Sequence, residues 1–103
     1  EGKWQAFYPD TKLFSEGDYL NDEYSGNWKV YHNNGEIKQN GEYKEGLSEG
    51  KWKFYHTNGN VKAEGNYHKN LKVGIWNFYD EEGNATKYAE YQKGELVNVN
   101  NIK

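Results

Sequence analysis

The sequence predicts an all-β protein: an elongated, single-layer antiparallel β-meander built of four 24-residue β-hairpin repeats. Three observations predict it. Trp4, Trp28, Trp52 and Trp76 recur at a constant spacing of 24 residues, with no insertion or deletion between them. Each tryptophan is followed by a turn signal: Pro9-Asp10-Thr11, Asn33-Asn34-Gly35, Thr57-Asn58-Gly59 and Glu81-Glu82-Gly83. Helical periodicity is absent, and 12 glycines in 103 residues are hostile to helices.

The chain divides into repeats 2–25, 26–49, 50–73 and 74–97 and a tail 98–103, all within a single array spanning 1–103. Internal repeats of this length mark stacked supersecondary units. Each unit reads as two strands. The first carries the tryptophan, as in Trp52-Lys53-Phe54-Tyr55, and the second runs as Val61 to Tyr67 does. Asn-Gly between them is a strong hairpin signal, because both residues tolerate positive φ. Pro9 suits the first inner position of a type I turn. Longer connections, such as Lys44 to Glu49, lead into the next tryptophan strand.

Register follows by arithmetic. A two-residue loop at Asn58-Gly59 sets Trp52 opposite Gly65 and Tyr67 opposite Gly50. The same rule pairs Trp28 with Gly41, Tyr43 with Gly26, Trp4 with Gly17, Tyr19 with Gly2, Tyr91 with Gly74 and Trp76 with Ala89. Large rings opposite glycine can lie flat across it and protect bare backbone. A three-residue loop with a bulge is the competing register. Side chains then alternate. Trp52, Phe54, Val61, Ala63, Gly65 and Tyr67 take one face; Lys51, Lys53, Tyr55, Lys62, Glu64 and Asn66 take the other, with Lys53 opposite Glu64. About eight strands at ~4.8 Å spacing span ~35–40 Å.

Composition fixes what the core is made of. Apolar residues make up 34% of the chain and aromatic ones 17%, with no cysteine or methionine. The core must therefore be built from rings, each worth roughly 4–6 kcal/mol as an upper bound when fully covered. The net charge of −3 gives no electrostatic ground for nucleic acid or an anionic membrane. Without cysteine there is neither a disulfide framework nor a thiolate zinc site. No apolar run approaches ~18 residues. A chain that starts at Glu1 reads as a trimmed segment or mature fragment, and its lysine and asparagine usage hints at an AT-rich genome. Export or display at the cell surface fits that reading, though any targeting signal would lie outside these residues.

No catalytic residue, metal ligand or cofactor emerges. His32 and His56 share a column two strands apart, ~10 Å, too far for one zinc ion. Glu16, Glu64 and Glu90 recur beside lysines on the polar face and read as solvated charge pairs rather than an acid–base couple. Ser15, Ser25 and Ser48 lie in no nucleophile-elbow motif. The glycines follow the hairpins rather than a phosphate loop. The structural columns are Trp4, Trp28, Trp52 and Trp76; Gly17, Gly41 and Gly65; and Tyr19, Tyr43, Tyr67 and Tyr91. A further column of Phe7, Tyr31, Tyr55 and Tyr79 falls on the polar face and is the candidate partner-binding ladder.

Gly-x-Tyr, a short glycine-containing connection, then Gly-x-Trp-x-x-Tyr and Asn-Gly resemble the MORN repeat, most of all the bacterial variant of YwqK-family antitoxins. Gly41, Tyr43, Gly46, Gly50, Trp52, Tyr55 and Gly59 carry the match, then Gly65, Tyr67, Gly74, Trp76, Tyr79 and Gly83. Phe7, Thr11 and Ala89 depart from the pattern, as terminal units do. The resemblance implies a non-catalytic scaffold that contacts a protein partner or its own copy, with an antitoxin role by family name. A glycan- or choline-binding aromatic module is the alternative, although the adjacent Trp-Tyr-Tyr of such repeats is absent. Membrane attachment is a third, without clustered lysine to support it. A single-layer sheet leaves its tryptophan face partly bare, so that face must curl, pack on a copy or meet a partner.

Overall fold

The computed structural model describes residues 2–102. They form one antiparallel sheet whose nine strands follow chain order: β1 (Gly2–Phe7), β2 (Leu13–Leu20), β3 (Glu23–Tyr31), β4 (Ile37–Lys44), β5 (Leu47–Tyr55), β6 (Val61–His68), β7 (Leu71–Tyr79), β8 (Ala85–Gln92) and β9 (Glu95–Asn101). Extents of 43 × 30 × 15 Å describe a ribbon one layer thick. The eight-strand count is corrected to nine. Residues assigned to the tail pair with β8, Ala89 facing Val99 and Lys87 facing Asn101.

Within the hairpins the aromatic–small-residue register holds: Gly2↔Tyr19 and Trp4↔Gly17, Gly26↔Tyr43 and Trp28↔Gly41, Gly50↔Tyr67 and Trp52↔Gly65, Gly74↔Tyr91 and Trp76↔Ala89. The turn chemistry does not hold. At Asn58-Gly59 only the glycine has positive φ, +95°. His56 N donates to Asn60 O at 2.8 Å and Gly59 N to His56 O at 3.0 Å, closing a wider turn with a bulge after Phe54. The tight two-residue turns sit instead between repeats. Asn21-Asp22, Glu45-Gly46, Lys69-Asn70 and Lys93-Gly94 all have positive φ, and Leu20↔Glu23, Lys44↔Leu47, His68↔Leu71 and Gln92↔Glu95 pair across them.

That bulge re-sorts the faces. Tyr55 pairs with Val61 and Phe54 with Ala63, so Lys62 is the extra residue. Val61, expected beside Trp52, instead faces Tyr55 on the opposite side, since residues directly opposite share a face. Lys62, expected on the polar side, lines a groove with Phe54, Ala63 and Trp76. The pairs Phe7↔Leu13, Tyr31↔Ile37 and Tyr79↔Ala85 repeat the arrangement.

The indoles also sit differently from the expectation. Trp28, Trp52 and Trp76 each cover not the small residue that faces them within their hairpin but the glycine of the strand before. A Cβ on Gly17 would meet Trp28 Cδ2 at 2.1 Å, one on Gly41 would meet Trp52 at 2.0 Å and one on Gly65 would meet Trp76 at 2.1 Å. The cause lies between repeats. Register shifts where Gly17, Gly41 and Gly65 would pair, so that Gly26-Asn27-Trp28 spans the place of one residue on β2, and likewise later. Gly26, Gly50 and Gly74 adopt φ of +68°, +74° and +73°, a region that penalises a Cβ. Each indole N–H then donates to the carbonyl beyond the covered glycine: Trp28 to Asp18, Trp52 to Glu42 and Trp76 to Asn66, at 3.1–3.2 Å. The Gly-x-Trp signature is thus a folding device that swings an indole back over the preceding unit.

The rings interleave into an unbroken edge-to-face chain: Trp4, Tyr19, Trp28, Tyr43, Trp52, Tyr67, Trp76 and Tyr91, with successive centroids 5.1–6.4 Å apart. Such pairs add about 0.5–1.5 kcal/mol each beyond area burial. Trp28, Trp52 and Trp76 are buried, whereas Trp4, whose strand has none before it among the described residues, is 39% exposed.

Candidate functional site

The sheet offers two faces. On the tryptophan face, Trp4, Phe14, Tyr24, Trp28, Val30 and Trp52 border a hollow of about 210 Å³. A second hollow, about 310 Å³, lies over β5 to β7, bordered by Phe54, Lys62, Ala63, Tyr67, Lys72, Trp76 and Phe78. The rows across this face differ between repeats. Where Ala6, Val30, Phe54 and Phe78 recur, their partners across the hairpin are Ser15, Gln39, Ala63 and Lys87. The tryptophan spacing is uniform, so what varies along the ribbon is written in these rows. Lys72 Nζ sits 5.2 Å from the Trp76 ring centroid and 5.0 Å from that of Tyr91, and Lys87 Nζ 4.9 Å from that of Phe78.

The opposite face carries the column expected to meet a partner. Tyr31, Tyr55 and Tyr79 are half-buried against Ile37, Val61 and Ala85, while Phe7 is 57% exposed. Two of the phenols are tied down: Tyr31 donates to Glu16 at 2.7 Å and Tyr79 to Glu64 at 2.8 Å. Glu64 faces Lys53 in the register, but its ion-pair contact is diagonal, to Lys51 Nζ at 3.9 Å, and the expected Lys53 bridge is replaced.

The histidines brace neighbouring repeats. His32 Nε2 lies 3.1 Å from Tyr55 O and His56 Nε2 3.0 Å from Tyr79 O. A carbonyl only accepts, so both rings carry the proton on Nε2. Tyr8 fills the same post in the first repeat, donating its hydroxyl to Tyr31 O at 2.7 Å. The turn amides add rungs, Asn34 to Thr57 O and Asn58 to Glu81 O. At the other margin Gly46, Asn70 and Gly94 N–H groups donate to Tyr24, Ser48 and Lys72 carbonyls. His68 Nδ1 meets Glu49 at 3.0 Å. Among the described residues no group of three or more acidic or histidine side chains is placed to hold a metal ion.

The shifted ionisations favour inert forms. The Tyr31 hydroxyl, then Gln5, hold Glu16 below the usual carboxylate range. The His68 ring holds Glu49 low, and turn amides, foremost those of Lys12 and Asn84, hold Asp10 and Asp80 low. Burial first, then the bond to Glu16, push the Tyr31 phenol up to about 12, and the bond to Glu64 raises Tyr79. A raised phenol pKa contributes stability that is whole below the unfolded value of about 10 and fades as pH climbs through the folded one. Melting temperature should therefore fall between about pH 10 and the Tyr31 value of about 12. Phenolate absorbance should show Tyr31 among the last tyrosines to ionise, and Tyr31→Phe should remove the late step. A late step that survives in Tyr31→Phe would show that another tyrosine carries it.

What sequence reasoning missed is the groove over β5 to β7. Two-residue alternation puts Lys62 on the other face and gives no ground for singling out Lys72 or Lys87. One signal was in reach: the hairpin register that sets Trp76 against Ala89 also sets Lys87 against Phe78. No curated protein matches the chain significantly. Residues 24–45 and 48–69, which cover most of the β3–β4 and β5–β6 hairpins in succession, match the family model of the MORN repeat variant as two tandem repeats.

Proposed function

We propose that this β-meander is a non-catalytic scaffold that docks a protein, or a second copy of the chain, on its tryptophan face. One observation carries the reading: a ribbon 15 Å thick leaves that face without a covering layer, and two ring-lined hollows open on it. MORN repeats are generally interaction modules, which agrees. The non-catalytic part is supported by the direction of the ionisations, since carboxylates held charged and phenols held neutral are poor proton shuttles. A bacterial source and a toxin as the protein partner, which the YwqK-like resemblance implies, are one form of this docking.

A photo-crosslinking amino acid placed at Tyr24, on the tryptophan face, or at Tyr55, on the other, tests the reading. The expected result is adducts from position 24, resolved by light scattering as a dimer or by mass as a partner. Adducts from position 55 alone would move docking to the Phe7, Tyr31, Tyr55 and Tyr79 ladder and favour the glycan-type reading. A strict monomer without adducts from either face would overturn both.

A further inference from the structure

Charge is sorted between the faces. Glu16, Asp18, Glu42, Glu49, Glu64 and Glu90 all alternate away from the tryptophan side, as their register partners require. Every other acidic residue among the described ones lies in a turn or at a strand end beside one. Lys62 and Lys72, by contrast, border the groove over β5 to β7. The ion pairs among the described residues are Lys51–Glu64 and His68–Glu49, so neither groove lysine has an acidic partner. The floor between them is apolar: Phe54, Ala63, Trp76 and Phe78.

The two ammonium groups come from opposite ends of the groove. Lys62 is the second residue of β6, and Lys72, the second residue of β7, pairs with Tyr67 near the end of β6. From Ala63 to Tyr67 is four residues, about 13 Å along a strand. Lys72 is held by the faces of Trp76 and Tyr91, which fixes where its charge stands. An anion at each end with an apolar group between is the complement of this surface.

We propose that the groove takes an extended acidic peptide segment. Two carboxylates about four to five residues apart meet Lys62 and Lys72, and an aromatic or branched aliphatic side chain between them fills the floor. This rests on the reading that the tryptophan face docks protein, and it names the chemistry of what docks. Single-stranded nucleic acid fits less well, because base stacking needs open rings and Trp52 and Trp76 are only 3% and 1% exposed.

Fluorescence anisotropy with a fluorescein-labelled synthetic peptide tests it: two glutamates flank a phenylalanine, and the counterpart carries glutamine in their place. The glutamate peptide should bind about tenfold more tightly, with a preference that shrinks as salt rises. Lys62→Gln combined with Lys72→Gln should erase the preference, whereas Lys53→Gln, on the other face, should leave it intact. Thermal melts establish that each variant folds, and the salt dependence of the unaltered chain stands if one does not. Equal binding of the two peptides would overturn this inference and leave the docking face standing. Tighter binding of oligothymidine, or no binding of either peptide, would also overturn it; crosslinking from position 24 then judges the docking face separately.

Discussion

Gly41→Ala should cost at least about 3 kcal/mol or abolish folding, although it adds one methyl group to a surface sheet. The added carbon would lie 2.0 Å from Trp52 Cδ2 and 2.2 Å from Cε2, at the fused bond of a ring that cannot bend. Trp52 cannot retreat freely either. Its N–H is committed to Glu42 O, its ring touches Tyr43 and Tyr67 edge to face, and Gly50 fixes the backbone that aims it. The matching position in the last hairpin is already alanine. Ala89 is 3% exposed and pairs with Val99, and β9 brings no indole over it, so a Cβ is tolerated there. Ala89→Gly should therefore shift stability by no more than about 1 kcal/mol, the ordinary cost of glycine in a strand. Urea unfolding followed by tryptophan fluorescence measures both. A Gly41→Ala protein as stable as the parent would show that the indole does not rest on that glycine.

The second large effect is Trp76→Ala, expected to cost about 3–5 kcal/mol, the usual range for emptying a buried aromatic site. Trp76 is 1% exposed and removing it would strip the cover from Gly65, free Asn66 O, and cut the ring chain between Tyr67 and Tyr91. Trp4→Ala, at the open end with 39% exposure, should cost less than half as much. Calorimetric melts of the two variants give the comparison directly. Equal losses would mean that the four indoles contribute alike and that seating on a preceding glycine adds nothing.

These two cases show what was legible in the sequence. The hairpin register came from small residues set against large ones, a pattern that survives any detail of the turn. The seating of the indoles did not, because it depends on Gly26, Gly50 and Gly74 taking positive φ between repeats, and two-residue alternation contains no such step. The turns were misjudged for a related reason. Asn58-Gly59 supplies one left-handed residue to a wide turn, while Lys69-Asn70, with no glycine, makes the tight one. There the neighbouring strands impose the twist, and Asn70 Oδ1 accepts from both the N–H and the hydroxyl of Ser48. The face of Lys62 followed from the same oversight, since one unpaired residue before Ala63 exchanges sides for everything nearer the turn. Strand nine escaped because Asn98 and Asn100 stand where earlier repeats have glycine and tryptophan.

Because Trp28, Trp52 and Trp76 each shelter the unit before them, the ribbon has a head and a tail. A hairpin joined after an existing one completes the older member's glycine, whereas one joined ahead supplies a bare seat for an indole already present. The two directions of growth are chemically unequal, and an added Cβ at Gly17, Gly41 or Gly65 would stand 2.0–2.1 Å from the indole of the following unit.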